Sequence, residues 1–563
     1  MPSPTHTFDA IVVGSGISGG WAAKELCEAG LKTLLIERGR NVVHLKDYPT
    51  ANWGPWDAPH RGEMPLADRQ QNPLANACSY YGEETAHFFV KDAEHPYIQE
   101  KPFGWIRGYQ VGGKSLIWNR QTQRFSDFEF TAPARYGFAV DWPIRYADLA
   151  PWYSHVEKFI GVSANKDGLP QLPDGEFLPP WEMNCVEKEM QRRIMARWPE
   201  RPVIIGRCAH ITQPQPVHLQ QGRGQCQARN RCNRGCPFGG YFSSNASTIP
   251  WAQKTGNLTL LTDTVVHSLI YDGEEGRATG VRVIDAHTHQ ASEYYSRIIF
   301  VNASALNTLL IMLNSTSGRF PNGFGNDNGL LGKYISWTNY RGGVSGSYEG
   351  FDDKYYSGRR PTMVIIPNFR NLAKQDTNFL GGYLTRIFTG RQRGIHSTVD
   401  VGPQYKDDLS VAGPWYVTMS MQGEVIPKES NYVYLSSDEK DPFGIPQLVT
   451  SCDYDENDDN LVDDFLQQAS EMMDAAGAKN IGTGDNHMTP GLDIHEMGGM
   501  RMGKDPKTSL LNAWNQVHGC DNVFVTDGAC MTSTGTQNPS LTYMALTARA
   551  VNHAVEELKK GNL

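Results

Sequence analysis

The hydrophobic pattern changes period several times along the chain. Phe8 to Val13 (FDAIVV) is a nearly unbroken apolar run, the pattern of a strand buried on both faces of a parallel sheet. Helical spacing follows from Gly19 to about Ala29, Gly30 ends it, and Lys32 to Ile36 (KTLLI) reads as a second buried strand. Residues 41 to about 100 lose periodicity and fill with Pro, Trp, His and Asn. A stretch that long without elements of its own reads as an ordered cover over a site, and as a candidate partner contact. A capped helix is expected after Asp141-Trp142-Pro143-Ile144, through YADLAPWYSHVEKFIGV. Residues 258–301 read as a strand meander, and 332–440 hold alternating, aromatic-rich strands typical of an antiparallel sheet. A last helix is expected from near Pro539 through Ala550. Together these elements predict an α/β chain in which a strand–helix–strand opening is joined to a large antiparallel sheet.

The 563 residues suffice for two large lobes or three ordinary domains. Hydrophobic residues make up 39 % and charged ones 20 %, and the net charge of −9 offers no basic field for nucleic acid or acidic lipid. The longest apolar runs fall short of the ~18–20 residues a membrane span needs. The first residues, MPSPTHTFDAIVVGSG, have no basic segment leading into a long apolar one, so no signal peptide of the chain's own is expected. Thirteen Trp and 24 Tyr suit sugar rings, although most aromatic residues serve as core.

Chemistry enters at the first turn. Gly14-Ser15-Gly16-Ile17-Ser18-Gly19 matches G-x-G-x-x-G between strand and helix, and Glu37 closes the second strand 18 residues after the third glycine. Gly14 permits the tight turn, Gly16 lets backbone approach a pyrophosphate, and Gly19 lets helix pack on strand. The helix N-terminus turns free N–H groups toward phosphates, and Glu37 can accept from ribose hydroxyls. A second glycine segment, Arg107-Gly108-Tyr109-Gln110-Val111-Gly112-Gly113-Lys114-Ser115, leads into a short apolar run; read alone it is also compatible with a plain loop-to-helix junction.

The C-terminal part holds His495-Glu496-Met497-Gly498-Gly499, then the strand Val523–Thr526 ending in Asp527-Gly528, then Gly535-Thr536-Gln537-Asn538-Pro539-Ser540-Leu541-Thr542. Oxidising an alcohol removes a proton from O–H and a hydride from C–H. A neutral histidine, with an ordinary pKa of ~6.5, can take the proton near pH 7, and an asparagine can hold the same hydroxyl without competing for it.

Three cysteines, Cys226, Cys232 and Cys236, lie six and four residues apart in CQARNRCNRGCPFGG, while most of the other seven have no near neighbour. The scattered ones argue against a disulfide framework. The triplet has metal-site density. A three-iron cluster would use only these thiols, a four-iron cluster would recruit a distant one such as Cys208, and zinc would need a fourth ligand such as His210. Buried free thiols are the plain alternative. Arg229, Arg231 and Arg234 beside them could offset cluster charge or face an acidic partner.

In these segments the chain resembles the glucose–methanol–choline (GMC) oxidoreductases, and the resemblance covers nearly the whole length. It implies a Rossmann-like FAD-binding domain joined to a substrate domain with a large antiparallel sheet and helices. The implied layout is FAD binding at 1–120 with the cover at 41–100, substrate domain at 121–205, the cysteine segment at 206–245, FAD binding again at 246–325, substrate domain at 326–480, and FAD binding with catalysis at 481–563. It implies FAD contacts at Gly14, Gly16, Gly19, Glu37, Arg107, Gly112, Gly113, Ser115, Val266, Asp527 and Gly528, with Val265 or Val266 near adenine. His495 falls on the family's catalytic histidine and Asn538 on its His-or-Asn partner. Gln422 and Glu424 are expected sugar contacts, and Trp337, Tyr340, Trp415 and Tyr416 are candidate stacking faces.

The cysteine triplet resembles the bacterial sugar dehydrogenase branch of that family, with a three-iron cluster. The runs VGGKSLIWNRQ and DWPIRYADLAPWY look most like glucoside 3-dehydrogenases. That branch implies a small subunit bearing the export signal, a cytochrome c-type acceptor and a periplasmic site. The expected lack of a signal peptide also fits a cytoplasmic enzyme. The rival readings are glucose-, fructose- or gluconate-type dehydrogenases of the same branch, an oxidase using oxygen with structural cysteines, a lyase of the same fold and a non-catalytic flavoprotein.

Overall fold

The computed structural model describes residues 7–354, 361–393, 401–492 and 494–563. The apolar run at the start forms the strand Thr7–Val13, buried from Ala10 to Val13. It lies at the centre of a parallel array, with Thr33–Ile36 on one side and Ala291–Val301 on the other. Leu258–Leu261 extends the array beyond Thr33–Ile36, and Cys520–Val525 extends it beyond Ala291–Val301. The expected meander divides accordingly. Its first strand joins the parallel array, while Thr264–Asp272 and Arg277–Asp285 form an antiparallel hairpin on Ala291–Val301. Helices Ile17–Glu28 and Ser540–Lys560 cover this sheet, packed against each other and against Tyr146–Ile160.

The second sheet is antiparallel, in the order Lys479–Asp485, Gly342–Tyr348, Ala412–Glu424, Tyr383–Arg393, Val364–Ile366, Ile204–Ile205. Ala412–Glu424 shows why it forms: Trp415, Val417, Met419 and Met421 alternate inward while their neighbours face out. Helix Glu456–Ala476 covers the inner face. It buries Leu461, Phe465, Ala469, Met472 and Met473 at helical spacing, starts on a capping box of Asp455 and Asp458, and ends at left-handed Gly477. Tyr432–Lys440, expected with the alternating strands, instead pairs with Pro446–Ser451 in a separate small sheet.

The cover at 41–100 is ordered by turns rather than by long elements. Short helices at Leu66–Gln71 and Pro73–Ala77 interrupt it, and Ile98–Gln99 ends it by pairing with Pro446–Ser451. Among the described residues no helix is long and apolar enough to cross a membrane.

Candidate active site

The first glycine turn ends the central strand under tight steric limits. Gly14 has φ +89°, and a Cβ there would come within 2.4 Å of the Asn302 carbonyl oxygen. A Cβ on Gly19 would meet the Gly14 carbonyl at 1.7 Å, so helix and strand approach as closely as backbone allows. Gly16 differs: a Cβ there would meet nothing within 4 Å, because its open side faces the cleft. Gly16 is also the N-cap of helix Ile17–Glu28 and makes no side-chain cap, which leaves the first N–H groups turned outward.

The second glycine segment folds over the first. Gly112 donates its N–H to Ser15 Oγ at 3.0 Å, and a Cβ on Gly113 would lie 3.4 Å from Gly16 Cα. Ser115 Oγ accepts from the Ser244 N–H at 3.0 Å and anchors the segment from behind. Glu37 receives Ser15 N–H at 3.1 Å and Gly39 N–H at 3.0 Å; burial raises its pKa against these bonds.

A cleft with an empty volume of about 1650 Å³, its open mouth included, runs along both glycine turns. It passes Arg107, Val265, Val266, Asp527 and Gly528, and ends at His495. Burial pushes the Asp527 carboxyl up to about 6, and the carboxyl accepts Thr308 Oγ1 at 2.6 Å and Ala529 N–H at 2.9 Å. Buried polar atoms without hydrogen-bond partners among the described residues gather on its walls: Nε of Arg107, Nδ2 of Asn302 and the hydroxyl of Tyr543. Open glycine backbone, unspent N–H donors and these orphaned groups are the surface a dinucleotide would complete, so the residues present fit FAD.

His495 and Asn538 meet although they come from different sheets. His495 follows strand Lys479–Asp485 of the antiparallel sheet, and Asn538 follows strand Cys520–Val525 of the parallel one. Asn538 Nδ2 lies 3.3 Å from His495 Nε2, and His495 Nδ1 lies 3.0 Å from Thr338 Oγ1. His495 has φ +69°, a left-handed conformation that costs a non-glycine residue roughly 1–2 kcal/mol. Its pKa is pushed down to about 3, first by burial and then by the positive charges of Lys114 and Arg386. Lys114 is paired with Glu496 at 3.1 Å, which ties the second glycine segment to the turn that carries His495.

Gln422 and Glu424 sit inside the sheet wall rather than on the cleft. Gln422 is 1 % exposed; its Nε2 donates to Thr536 O at 2.6 Å and to Asn538 Oδ1 at 3.2 Å. Glu424 accepts Gly382 N–H at 2.8 Å, and burial, with Glu129 nearby, raises its pKa to about 8. Of the four candidate stacking aromatics, Tyr340 stands nearest the chemistry, 6.3 Å from the His495 ring. Trp337 packs on Phe103 and Tyr454, and Trp415 lies in the core of the second sheet. Tyr416 is half-buried, beside Gly390. Thr338, Lys114 and Arg386 were not anticipated. Each reaches the site across more than a hundred residues of chain; no local motif marks Thr338 or Arg386, and the second glycine segment that contains Lys114 gives no sign that its side chain faces His495.

The cysteine segment forms a compact turn with a 3₁₀ stretch at Cys232–Arg234. Burial raises the Cys226 thiol to about 12, and the Cys232, Cys236 and Cys208 thiols lie near enough to add to the shift. Cys232 Sγ faces His210 Nε2 at 3.7 Å, and Cys236 Sγ accepts Gly240 N–H at 3.4 Å. Two buried guanidinium groups flank the thiols on neutral oxygen partners, Arg120 on Asn233 Oδ1 at 2.9 Å and Arg223 on Gly239 O at 2.9 Å. Burial lowers Arg223 to about 9, with Cys236 opposing. The donor chemistry suits iron and sulfide. The side chains as they stand do not close on an ion: among the described residues no three His, Cys, Asp or Glu group tightly enough to hold a metal.

Comparison with known proteins supports the same reading. Profiles described as GMC oxidoreductase match residues 183–335 and 427–547. The chain is 25 % identical to the fructose dehydrogenase large subunit of Gluconobacter japonicus, over 100 % of both chains. It is 27 % identical to the 2-methyl-1,2-propanediol dehydrogenase of Mycolicibacterium austroafricanum, covering 98 % of this chain and 95 % of the other. In fold it is similar to the pyridoxine 4-oxidase of Mesorbium loti, with TM-score 0.61, 16 % identity, and 97 % and 98 % of the two chains covered. With both glycine turns, the orphan-lined cleft and the His495–Asn538 pair in place, the chain belongs to the GMC oxidoreductases, FAD-dependent enzymes that act on CH–OH groups.

Proposed function

We propose that the protein is a dehydrogenase that oxidises a secondary hydroxyl of a sugar or glycoside, with C3 of a pyranose as the position attacked and a 3-keto sugar as the product. The observation that supports it most is the facing pair His495 and Asn538 at the end of the glycine-lined cleft. The substrate O–H donates its proton to His495 Nε2, and Asn538 Nδ2 donates a hydrogen bond to the same oxygen. Burial, with Lys114 and Arg386, keeps the imidazole neutral and ready to accept. Gly14, Gly16, Gly19, Gly112, Gly113, Ser115 and Arg107 hold the pyrophosphate side of FAD, Glu37 its ribose, Val266 its adenine end, and Asp527 and Gly528 its ribityl region. FAD, when bound, supplies the acceptor for the hydride that leaves the carbon.

The sugar class rests on the sequence resemblance and on the full-length fructose dehydrogenase relative. The acceptor side is proposed as an iron–sulfur cluster on Cys226, Cys232 and Cys236, with a three-iron cluster preferred and a four-iron cluster with Cys208 as the variant. The sulfur ligands the segment offers, and the two buried arginines beside it, support it. A small partner subunit carrying the export signal, a cytochrome c-type acceptor and a periplasmic location complete the proposal; that the fructose dehydrogenase relative is named a large subunit supports the partner.

The test is anaerobic turnover of a glycoside panel with a dye acceptor, with the new carbonyl located by ¹³C NMR. A 3-keto product is expected. A carbonyl at another carbon would move the reading to a glucose-, fructose- or gluconate-type dehydrogenase. Peroxide formation in air, by protein lacking iron and labile sulfide, would make it an oxidase.

A further inference from the structure

We infer that Gln422 is a positioning residue: it fixes which end of the Asn538 amide meets His495, and thereby makes His495 Nε2 the proton acceptor. The inference rests on the reading of His495 as the base. The two ends of an asparagine amide are nearly equal in shape, so only its partners decide which way it points. Asn538 has two side-chain neighbours here, His495 Nε2 at 3.3 Å and Gln422 Nε2 at 3.2 Å.

Gln422 cannot turn over without loss. Its Nε2 donates to the Thr536 carbonyl at 2.6 Å, and a carbonyl can only accept. Its Oε1 receives the Tyr340 hydroxyl at 3.1 Å. Tyr340 in turn lies under the Arg386 guanidinium, 4.2 Å from its ring centroid, and Arg386 Nε donates to Ser420 Oγ at 3.2 Å. The backbone of Asn538 is pinned separately, its N–H on Gln123 Oε1 at 3.1 Å.

With Gln422 fixed as a donor, Asn538 must present Oδ1 to it and Nδ2 to the histidine. Nδ2 can only donate, so His495 Nε2 must hold a lone pair. The ring proton then sits on Nδ1, where Thr338 Oγ1 at 3.0 Å accepts it. Each link has one allowed polarity, and the chain from Tyr340 to Thr338 selects a single tautomer. The charged groups facing the imidazole are Arg386 from strand Tyr383–Arg393 and Lys114 from the second glycine segment; the Lys114 charge is paired with Glu496. Tyr340 is the other titratable ring beside it.

The test uses Gln422→Glu in the full FAD-loaded chain, with Gln422→Leu as the companion. A carboxyl at this place carries at most one proton, which the Thr536 carbonyl takes, so the same oxygen offers Asn538 only a lone pair; Asn538 reverses to donate Nδ2 to it and turns Oδ1 toward His495. Anaerobic flavin reduction by a reactive sugar should then fall at least tenfold near pH 7, within the ~10²–10⁴-fold that a positioned base supplies. The rate should also acquire an ionisation, rising with pH as the imidazolium, which the reversed Oδ1 stabilises, loses its proton. Gln422→Leu frees the amide without reversing it, so a smaller loss with no new ionisation is expected. A wild-type rate in Gln422→Glu, or a loss equal at every pH, would overturn the inference. Failure of the base reading itself is told apart by His495→Ala, which would then still reduce flavin whatever Gln422 does. Should Gln422→Glu not fold, Gln422→Leu decides alone: a wild-type rate in it overturns the inference.

Discussion

At the residue scale the proposed chemistry depends on keeping one imidazole neutral and one amide turned the right way. The low pKa of His495, about 3, follows from burial and two nearby cations rather than from its sequence motif. The proposed base is therefore neutral over the whole physiological range, and the rate of flavin reduction should show no ionisation of His495 between about pH 5 and 8. A stopped-flow pH series checks this, and an ionisation near 6.5 that vanishes in His495→Ala would contradict it. Glu424 gives a second residue-scale expectation. The unfolded chain releases this proton near 4.5, whereas the folded protein keeps it to about 8. Its contribution to stability is therefore full below pH 4.5 and is lost as pH rises toward 8. In thermal melts, Glu424→Gln should gain on wild type as pH goes from 5 to 8 and hold a constant lead above that; a difference independent of pH would mean the carboxyl is not held neutral. The motifs mark His495 and Asn538 as candidates in the sequence, and the fold brings the two within 3.3 Å. The contacts of Gln422 and Thr338 were not legible, because their partners lie 116 and 157 residues away and only the folded sheet brings them together.

At the scale of elements, the strand–turn–helix of the first glycine loop separates a folding constraint from a binding one. A side chain on Gly19 would collide with the Gly14 carbonyl, whereas one on Gly16 would meet only the cleft. Gly19→Val should therefore fail to fold or melt far below wild type. Gly16→Val should fold with near-native thermal stability yet bind FAD at least tenfold more weakly, as read by flavin content and titration. Equal FAD affinity in Gly16→Val would place the pyrophosphate elsewhere. This element was readable because its signal is local: apolar run, three glycines, helix, apolar run, acid, all within 31 residues. The small sheet of Tyr432–Lys440 was read into the larger one because alternation marks a strand but not its partner. The meander was legible as strands, yet pairing of Leu258–Leu261 with Thr33–Ile36 spans more than 200 residues, and periodicity carries no such information.

At the scale of the whole molecule the chain after each of the two sheets carries one of the two proposed reactive groups. The antiparallel sheet delivers His495, together with Thr338, Tyr340 and Arg386; the parallel sheet delivers Asn538 and the cleft. The cysteine turn sits beside this junction. A polar cavity lined by Cys232 and Arg120 shares Tyr80 and Asn119 with the cleft wall, so the proposed cluster would lie beside the cleft that would hold the flavin. Protein prepared without oxygen should therefore contain iron and acid-labile sulfide in similar amounts, and Cys232→Ser should lose both while keeping FAD; iron-free wild-type protein would remove the cluster and leave the flavin chemistry standing. The central claim, a base-assisted alcohol oxidation at the junction of the sheets, is tested most directly by mixing the FAD-loaded enzyme with a reactive glycoside without oxygen and following the flavin absorbance. Wild type should bleach, and His495→Ala should bleach about 10²–10⁴-fold more slowly with its FAD still bound. Bleaching of His495→Ala at the wild-type rate would contradict the account.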